Sequence, residues 1–528
     1  MVIAVFLHMA RVFFTASYKK PREFLHNLRR LPSTFKGAWL RLGKVPESER
    51  EESQATFHNF FLHIHSVRVH VRTLAPTLTL GLGLIATASF VLLCITGVLL
   101  MVYYKPSTEL AYQSMKDIHF TVATGRFVRN IHRWSAHVMV IAVFLHMARV
   151  FFTASYKKPR EFNWLIGLSL LVVTLALSFT GYLLPWDQLA YWAITIGSNI
   201  ANSPRELTDA VGITGWFDPG GFQRRLLLGA NYVGEDALIR FYILHVFVLP
   251  VVLVILVSVH FWRIRKDGGL ARPEDSMGGP AEWGGQMRPV FQPLASKTYG
   301  LMALVRGQRP PVNRGPENTL MSWPHLFWAE LAVFMLTVLI SLALSFFFDA
   351  PLKEIANPAI PENPAKAPWY FLGIQELVSY SAFTGGLVIP VVALLGLALI
   401  PFLDRRPGGE GIWFGTPGEG LVAGRSALFG LVLAVGMLAF TVNFGWLRSW
   451  SPQIDQLWIL VINPGTLLVL LYAAWSLWIL KRKNSVRLAA VALFTCFLVG
   501  FAVLTYFATV HRGPNWEFYW WPSQWPVH

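Results

Sequence analysis

Cysteine is nearly absent from this 528-residue chain: Cys94 and Cys496 are the two, and neither has a second cysteine at metal-ligand spacing. No C-x-x-C-H stretch occurs, which excludes a covalently attached c-type haem of the usual kind and a cysteine-ligated iron–sulfur cluster on this chain. Any such centre must sit on a partner. Charge is sparse as well, at 14% of residues against 54% hydrophobic. Uninterrupted apolar runs of 18 or more residues exclude a soluble globular domain and identify a polytopic membrane protein. A cleavable leader of normal form is also missing, and none is expected.

The apolar runs predict an all-α transmembrane bundle of about nine spans, at roughly residues 80–104, 133–155, 164–184, 242–264, 325–348, 385–403, 425–445, 457–480 and 487–509. A net charge of +16 would suggest nucleic acid in a soluble protein. Here the basic residues follow the spans: Lys157, Lys158 and Arg160 the second, Arg263, Arg265 and Lys266 the fourth, Arg405 and Arg406 the sixth, and Lys481, Arg482 and Lys483 the eighth. All four clusters fall on one side. By the positive-inside rule that side is cytoplasmic, with the N-terminus inside, the C-terminus outside and the chain in a bacterial-type cell membrane. The charge reports topology and no nucleic-acid partner is expected.

Residues 1–24 repeat residues 139–162 without one change. The apolar part of the copy is too short to span, and His8, the copy of His146, has no copy of His132 beside it. The segment is expected to be non-functional, and His8 not a ligand. Residues 25–79 are polar and basic and suit a cytoplasmic segment before the first span. There His63 and His65 lack the carboxylates or spacing of a metal site. Residues 80–265 form the first module. Residues 266–323, rich in Pro, Gly and Arg without apolar periodicity, are a linker to a second module at 324–445. Residues 446–528 add two helices and the aromatic tail NWEFYWWP.

The informative polar residues lie inside the apolar runs. The second span carries His132 and His146, 14 residues apart, and the fourth carries His245 and His260, 15 apart. At 1.5 Å rise per residue each pair lies on one helix face with its members about 21 Å apart. Intramembrane histidines on two helices at matched spacing suit axial ligation of two haem irons, since neutral imidazole is a good iron ligand. The second and fourth spans run in the same direction, so His132 pairs with His245 near the outer face and His146 with His260 near the inner face. Arg129, Arg133, Arg149 and Arg240 lie within about a turn of these ligands and can neutralise haem propionates. Gly83 and Gly97 on the first span, and Gly167 and Gly181 on the third, repeat the 14-residue interval. With no side chain they let a flat macrocycle approach the backbone; close helix packing would explain either pair alone.

At this point the chain resembles cytochrome b of the quinol-oxidising bc-type complexes. The matching stretches are RNIHRWSA, FLHMARV, KKPRE, TGYLLPWDQLAYWA and RFYILH in the first module, then PWYF at Pro368 to Phe371 and IPFLDR at Ile400 to Arg405. The wording is most similar to the plastid-type cytochrome b, here fused to a module resembling subunit IV and followed by two further helices. Where that type tethers an extra haem through a cysteine, this chain has Gly81, so no such haem is expected.

The resemblance implies a quinol oxidoreductase subunit. Quinol is oxidised at the outer face, one electron passing to a Rieske-type iron–sulfur partner and the other through two non-covalent b-type haems to a quinone near the inner face. Proton translocation, a c-type cytochrome or equivalent acceptor subunit, and a homodimeric complex are implied as well. The outer pocket would take residues from the Trp186-Asp187-Gln188 region and from Pro368, Trp369 and Tyr370, and Arg265 and Lys266 would lie near the inner one. Relatives usually carry a Glu before the Trp-Tyr pair as proton acceptor. This chain has Ala367-Pro368 there, so Glu376, or failing it Asp187, Glu362 or ordered water, is expected to serve. A dihaem quinone-reactive anchor of another oxidoreductase would need only the first module, and a transporter would leave the spaced histidines and glycines unexplained. Deleting residues 1–24 should leave haem content and quinol oxidation unchanged in purified membranes; loss of either haem would contradict this reading of the repeat.

Overall fold

The computed structural model describes residues 21–40, 46, 48–59, 62–272 and 319–526. His8 and residues 1–20 of the repeat lie outside the described residues, as does most of the expected linker. The described chain is predominantly helical and forms two compact units, one drawn from residues 1–70 and 299–328, the other from 71–298 and 329–528.

The smaller unit holds helices Pro21–Leu40 and Glu49–His58 and a two-stranded antiparallel ribbon, β1 (Arg68–His70) with β2 (Thr319–Met321), in which Arg68 faces Met321. The helix Glu49–His58 starts where the Ser48 side chain accepts from the Glu51 amide, and Glu49, Glu51 and Glu52 complement the exposed amides of its first turn. His63 is exposed and His65 half-buried. Among the described residues no cluster of three or more His, Cys, Asp or Glu side chains suits a metal ion.

Nine helices among the described residues are long and apolar enough to cross a membrane. They are α1 (Leu82–Met101), α2 (Gly125–Phe152), α3 (Glu161–Tyr182), α5 (Glu235–Lys266), α6 (Phe327–Phe347), α8 (Thr384–Leu403), α9 (Glu419–Phe444), α10 (Pro464–Lys483) and α11 (Val486–Val510). Two shorter helices matter to the site: α4 (Gln188–Asn202) and α7 (Trp369–Tyr380). The sequence places the starts of the second and fourth spans seven or eight residues too late. Hydropathy registers only the hydrocarbon-crossing part, whereas α2 begins with a turn bearing Arg126 and Arg129 and α5 with Glu235 and Asp236. His132, one residue before the expected second span, thereby falls inside α2. The expected eighth span starts too early instead. Residues Gln456–Val461 are a separate short helix, and α10 begins anew where Asn463 caps the Thr466 amide and Pro464 occupies the first turn.

In the larger unit α1 packs along α2 and α3 along α5, while α11 lies against α7, α9 and α10. Half of the apolar window of α11 is buried, so the two helices beyond the second module belong to its core. Small residues let these helices approach: a side chain at Gly430 would meet the Cys496 backbone, and one at Gly500 the Tyr472 ring. Polar side chains tie them, Tyr472 Oη donating to the Gly430 carbonyl at 2.9 Å, Trp475 to Ser426 Oγ at 2.9 Å and Ser476 to the Ala489 carbonyl at 2.8 Å. Without water to compete, such bonds hold apolar helices in one register.

A chain of buried charges joins both modules at one end of this unit. Arg487 at the start of α11 pairs with Glu419 at the start of α9 and donates to Tyr156 Oη at 2.9 Å. Tyr156 donates to Asp404 Oδ2 at 2.8 Å, and Lys157 Nζ lies 3.5 Å from that oxygen. Lys157, expected as a surface topology signal, is therefore buried and neutralised by Asp404; Lys158 beside it is exposed. Replacing Glu419 with Gln leaves the Arg487 charge buried without its counter-ion and should lower unfolding stability by about 3–5 kcal/mol, measured by denaturation in detergent. Unchanged stability would show that the pair contributes nothing to the fold.

Candidate functional site

Two histidines on α2 face two on α5. The His132 and His245 ring centres lie 6.1 Å apart with their planes at 72°, and those of His146 and His260 6.4 Å apart at 76°. A metal–imidazole bond of about 2.0 Å on each side, plus about 1.1 Å from each nitrogen to its ring centre, sets two trans imidazoles about 6 Å apart across one iron. Both pairs meet that spacing. Thr96 Oγ1 lies 2.9 Å from His132 Nδ1, and the Leu177 carbonyl 3.1 Å from His245 Nδ1. A carbonyl at Nδ1 keeps the proton there and leaves the Nε2 lone pair for a metal.

The unequal spacings of 14 and 15 residues have a structural reason. Residues Leu244–Val248 form a π turn within α5, and Pro250 follows it. A π turn takes up one extra residue without adding a turn, so 15 residues of α5 cover the same rise as 14 of α2. A proline in the next turn suits this, because its missing amide is tolerated where the regular ladder is already broken.

Each of the four glycines stands opposite one histidine: Gly97 and Gly181 face His132 and His245, Gly83 and Gly167 face His146 and His260. They are in register with the two levels as expected, but the group against each backbone is an imidazole edge. A Cβ at Gly181 would lie 2.4 Å from His245 Cε1; at Gly83 and Gly97 the corresponding distance is 3.3 Å and at Gly167 it is 3.9 Å.

The arginines do not behave alike. Arg129, buried, donates through Nη1 to the Ala350 carbonyl at 2.7 Å and through Nη2 to that of Pro351, so both of its terminal nitrogens hold the turn after α6. Its Nε–H and a further Nη2–H take no carbonyl, so Arg129, like Arg149 and Arg240, keeps donors beyond those that hold the turn. Burial and the nearby Arg129 charge also hold the His119 imidazole below its usual range. Arg149 Nε donates to the Leu78 carbonyl at 2.8 Å and Arg240 Nη1 to that of Leu226 at 2.7 Å, each keeping further donors. Arg133 makes no hydrogen bond among the described residues. Arg265 is exposed in the last turn of α5.

The residues expected around the outer pocket divide into two groups. Asp187 caps α4, Oδ1 accepting from the Ala190 amide at 2.9 Å and Oδ2 from that of Lys353 at 3.0 Å. Gln188 donates to the Ile360 carbonyl at 2.6 Å and accepts from the Asn357 amide at 2.7 Å. These two side chains clasp the segment leading to α7. Burial raises the Asp187 carboxyl above the usual carboxylate range, against the two amides and the Arg129 and Arg133 charges, which lower it. Trp369 and Tyr370 open α7, where Trp369 Nε1 donates to His137 Nδ1 at 3.2 Å and the Tyr370 ring centre lies 6.2 Å from that of His137. His137, five residues after His132 and therefore on a different face of α2, is absent from the sequence expectations.

Glu376 is neither solvated nor free. It is wholly buried, and its oxygens accept from Arg512 Nε at 3.0 Å and Nη2 at 2.5 Å, Trp516 Nε1 at 3.0 Å and Tyr380 Oη at 3.0 Å. Tyr380 lies in α7 itself, whereas Arg512 and Trp516 come from the tail after α11, so a carboxylate expected to take a proton is instead the buried anchor of that tail. Glu362 is paired with Lys353 at 3.1 Å.

Two outcomes follow. Gly181→Ala should displace His245 and deplete one haem in the optical spectrum, whereas Gly167→Ala should keep full content; equal haem content in both would remove the steric argument. Glu376→Gln should destabilise the chain by about 3 kcal/mol and expose the tail to limited proteolysis, because it strands the Arg512 charge. A tail equally resistant in both proteins would contradict the anchor.

Comparison with known proteins supplies the family. The family model described as cytochrome b/b6/petB matches residues 72–268. Cytochrome b6 of Heliobacterium mobile is 43% identical over 187 residues, covering 35% of this chain and 82% of the relative. Cytochrome b6 of Synechococcus sp. (strain RCC307) is 40% identical over 187 residues, covering 35% and 80%. A solved structure titled hyperthermophilic respiratory complex III aligns with 81% of this chain and 90% of its own, at a TM-score of 0.52 and 23% identity, a likeness of fold that reaches into the second module. With the facing histidines on two helices of the matched region, the chain belongs to the cytochrome b/b6 family.

Proposed function

We propose that this chain is the cytochrome b subunit of a bc-type complex that oxidises quinol at the outer face of a bacterial-type cell membrane and reduces quinone near the inner face. The observation that carries the reading is the pair of facing imidazoles repeated at two levels, with ring centres 6.1 and 6.4 Å apart, which would hold one haem at each level. His132 with His245 would hold the outer b-type haem and His146 with His260 the inner one. When bound, the two haems supply one-electron carriers on a path whose ligand levels are about 21 Å apart, most of a hydrocarbon core of about 30 Å. Electron transfer to a Rieske-type iron–sulfur protein and onward to a c-type cytochrome or equivalent, a homodimeric assembly, and proton uptake inside with release outside belong to the same proposal. So does the topology, with the N-terminus cytoplasmic and the C-terminus outside.

The chain's own residues would do the following. Arg133 and the remaining donors of Arg129, Arg149 and Arg240 would pair with propionates, while Arg129 also fixes the turn after α6. Trp369 and Tyr370 would border the outer quinol site, Arg265 the inner quinone. With Glu376 engaged by Arg512, Asp187 is the better base for the quinol proton. Its carboxyl is raised by burial, so its basic form is reached only at higher pH. The rate of quinol oxidation should therefore climb with pH across a carboxylate limb above the ordinary range.

His132→Leu or His245→Leu should remove one b haem and His146→Leu or His260→Leu the other, read as loss of half the reduced-minus-oxidised b absorbance. Two full haems after any of these changes would refute the ligand assignment. Asp187→Asn keeps the acceptor that caps α4 at the loss of the one for the Lys353 amide, and should flatten the acidic limb of the rate while keeping both spectra. An unaltered pH profile would return the role to another group.

A further inference from the structure

We propose that His137 is a hydrogen-bond donor to the quinol and quinone oxygen at the outer site, a binding residue supplied by α2 beside the Trp369-Tyr370 pair. The proposal rests on the quinol-oxidising reading above and goes beyond it by naming the group that holds the head of the substrate.

Three observations converge. First, His137 lies within a membrane span yet is only half-buried. A polar ring in that setting is costly unless it meets a partner or a ligand. Second, its Nδ1 accepts from the Trp369 indole at 3.2 Å. Indole can only donate, so neutral His137 must carry its proton on Nε2. The ring is thus held as an Nε2–H donor, and Nε2 has no partner among the described residues and is not one of the atoms sealed from solvent. Third, the surroundings suit a flat, weakly polar headgroup. Trp134 stands 5.4 Å from the His137 ring centre and Tyr370 6.2 Å, on the two elements that carry the outer ligand and the PWYF motif. The charged or titratable groups that face it are Arg133 and Tyr370. Neither accepts a hydrogen bond from Nε2 here, so the N–H remains available to a quinone carbonyl or quinol hydroxyl oxygen. No electron or proton is transferred to His137 in this role.

The test uses the purified complex with a short-chain benzoquinol as substrate. His137→Leu removes the donor and should raise KM about tenfold, equivalent to about 1.4 kcal/mol, with kcat within about twofold and both b spectra intact. His137→Gln retains an amide N–H near the same place and should bring KM back to within about threefold of the wild type. The carbonyl stretch of bound benzoquinone should move toward its free frequency in the leucine variant, a shift that a packing role would not cause. Wild-type KM in His137→Leu would overturn the proposal. So would a glutamine variant as impaired as leucine, because the donor would then not be what matters. Should the leucine variant lose its haems, His137→Phe decides: it keeps a ring of similar size but removes the donor, KM should again rise about tenfold, and an unchanged KM overturns the assignment. If the wild-type complex does not oxidise benzoquinol at all, it is the proposed function that fails, and the carbonyl shift still reports on His137.

Discussion

Everything in the first module depends on four imidazoles meeting in two pairs across α2 and α5. A buried imidazole in hydrocarbon is costly unless something takes its lone pair, and the helices are built so that something can. The Thr96 hydroxyl and the Leu177 carbonyl turn the outer rings, the glycines of α1 and α3 leave room for their edges, and a π turn in α5 brings 15 residues into register with 14. Each device has a local cost: glycine weakens a helix, and a π turn breaks its ladder. They are intelligible together only as parts of one arrangement that holds the rings about 6 Å apart.

The second module bears on this arrangement from the other side. Helix α7 is fixed at its start by the Trp369–His137 bond and farther along by Glu376, whose partners Arg512 and Trp516 lie in the tail after the last helix. The Asp187–Gln188 clasp holds the chain that leads into it. The additional C-terminal helices thus do more than lengthen the protein. They brace the element bearing the PWYF motif through a buried ion pair, and they join the end of α2 through Arg487 and Tyr156.

Much of this was legible in the sequence because membrane proteins write certain things plainly. Span number followed from apolar length, and the histidine and glycine intervals from helical geometry. Helix ends were less legible, since the charged first turns of α2 and α5 look like loop to a hydropathy count, and Asn463 and Pro464 split an apolar run that reads as continuous. The partner of Glu376 is 136 residues away, and no local pattern announces an ion pair of that separation. His137 carries no such signal for a different reason: the 14-residue interval marks one face of α2, and the third histidine of that helix stands on another.

The central claim of the proposed function is that each chain would hold two haem irons, one for each facing pair of imidazoles. Low-temperature electron paramagnetic resonance of the oxidised protein, with haem counted per chain, tests it most directly. Imidazole planes at 72° and 76° would, with iron bound between them, bring the two orbitals that overlap their π systems close in energy. The account therefore predicts two haems per chain and two low-spin ferric signals of large anisotropy. One haem per chain, a high-spin signal, or the rhombic signal of parallel imidazoles would contradict it.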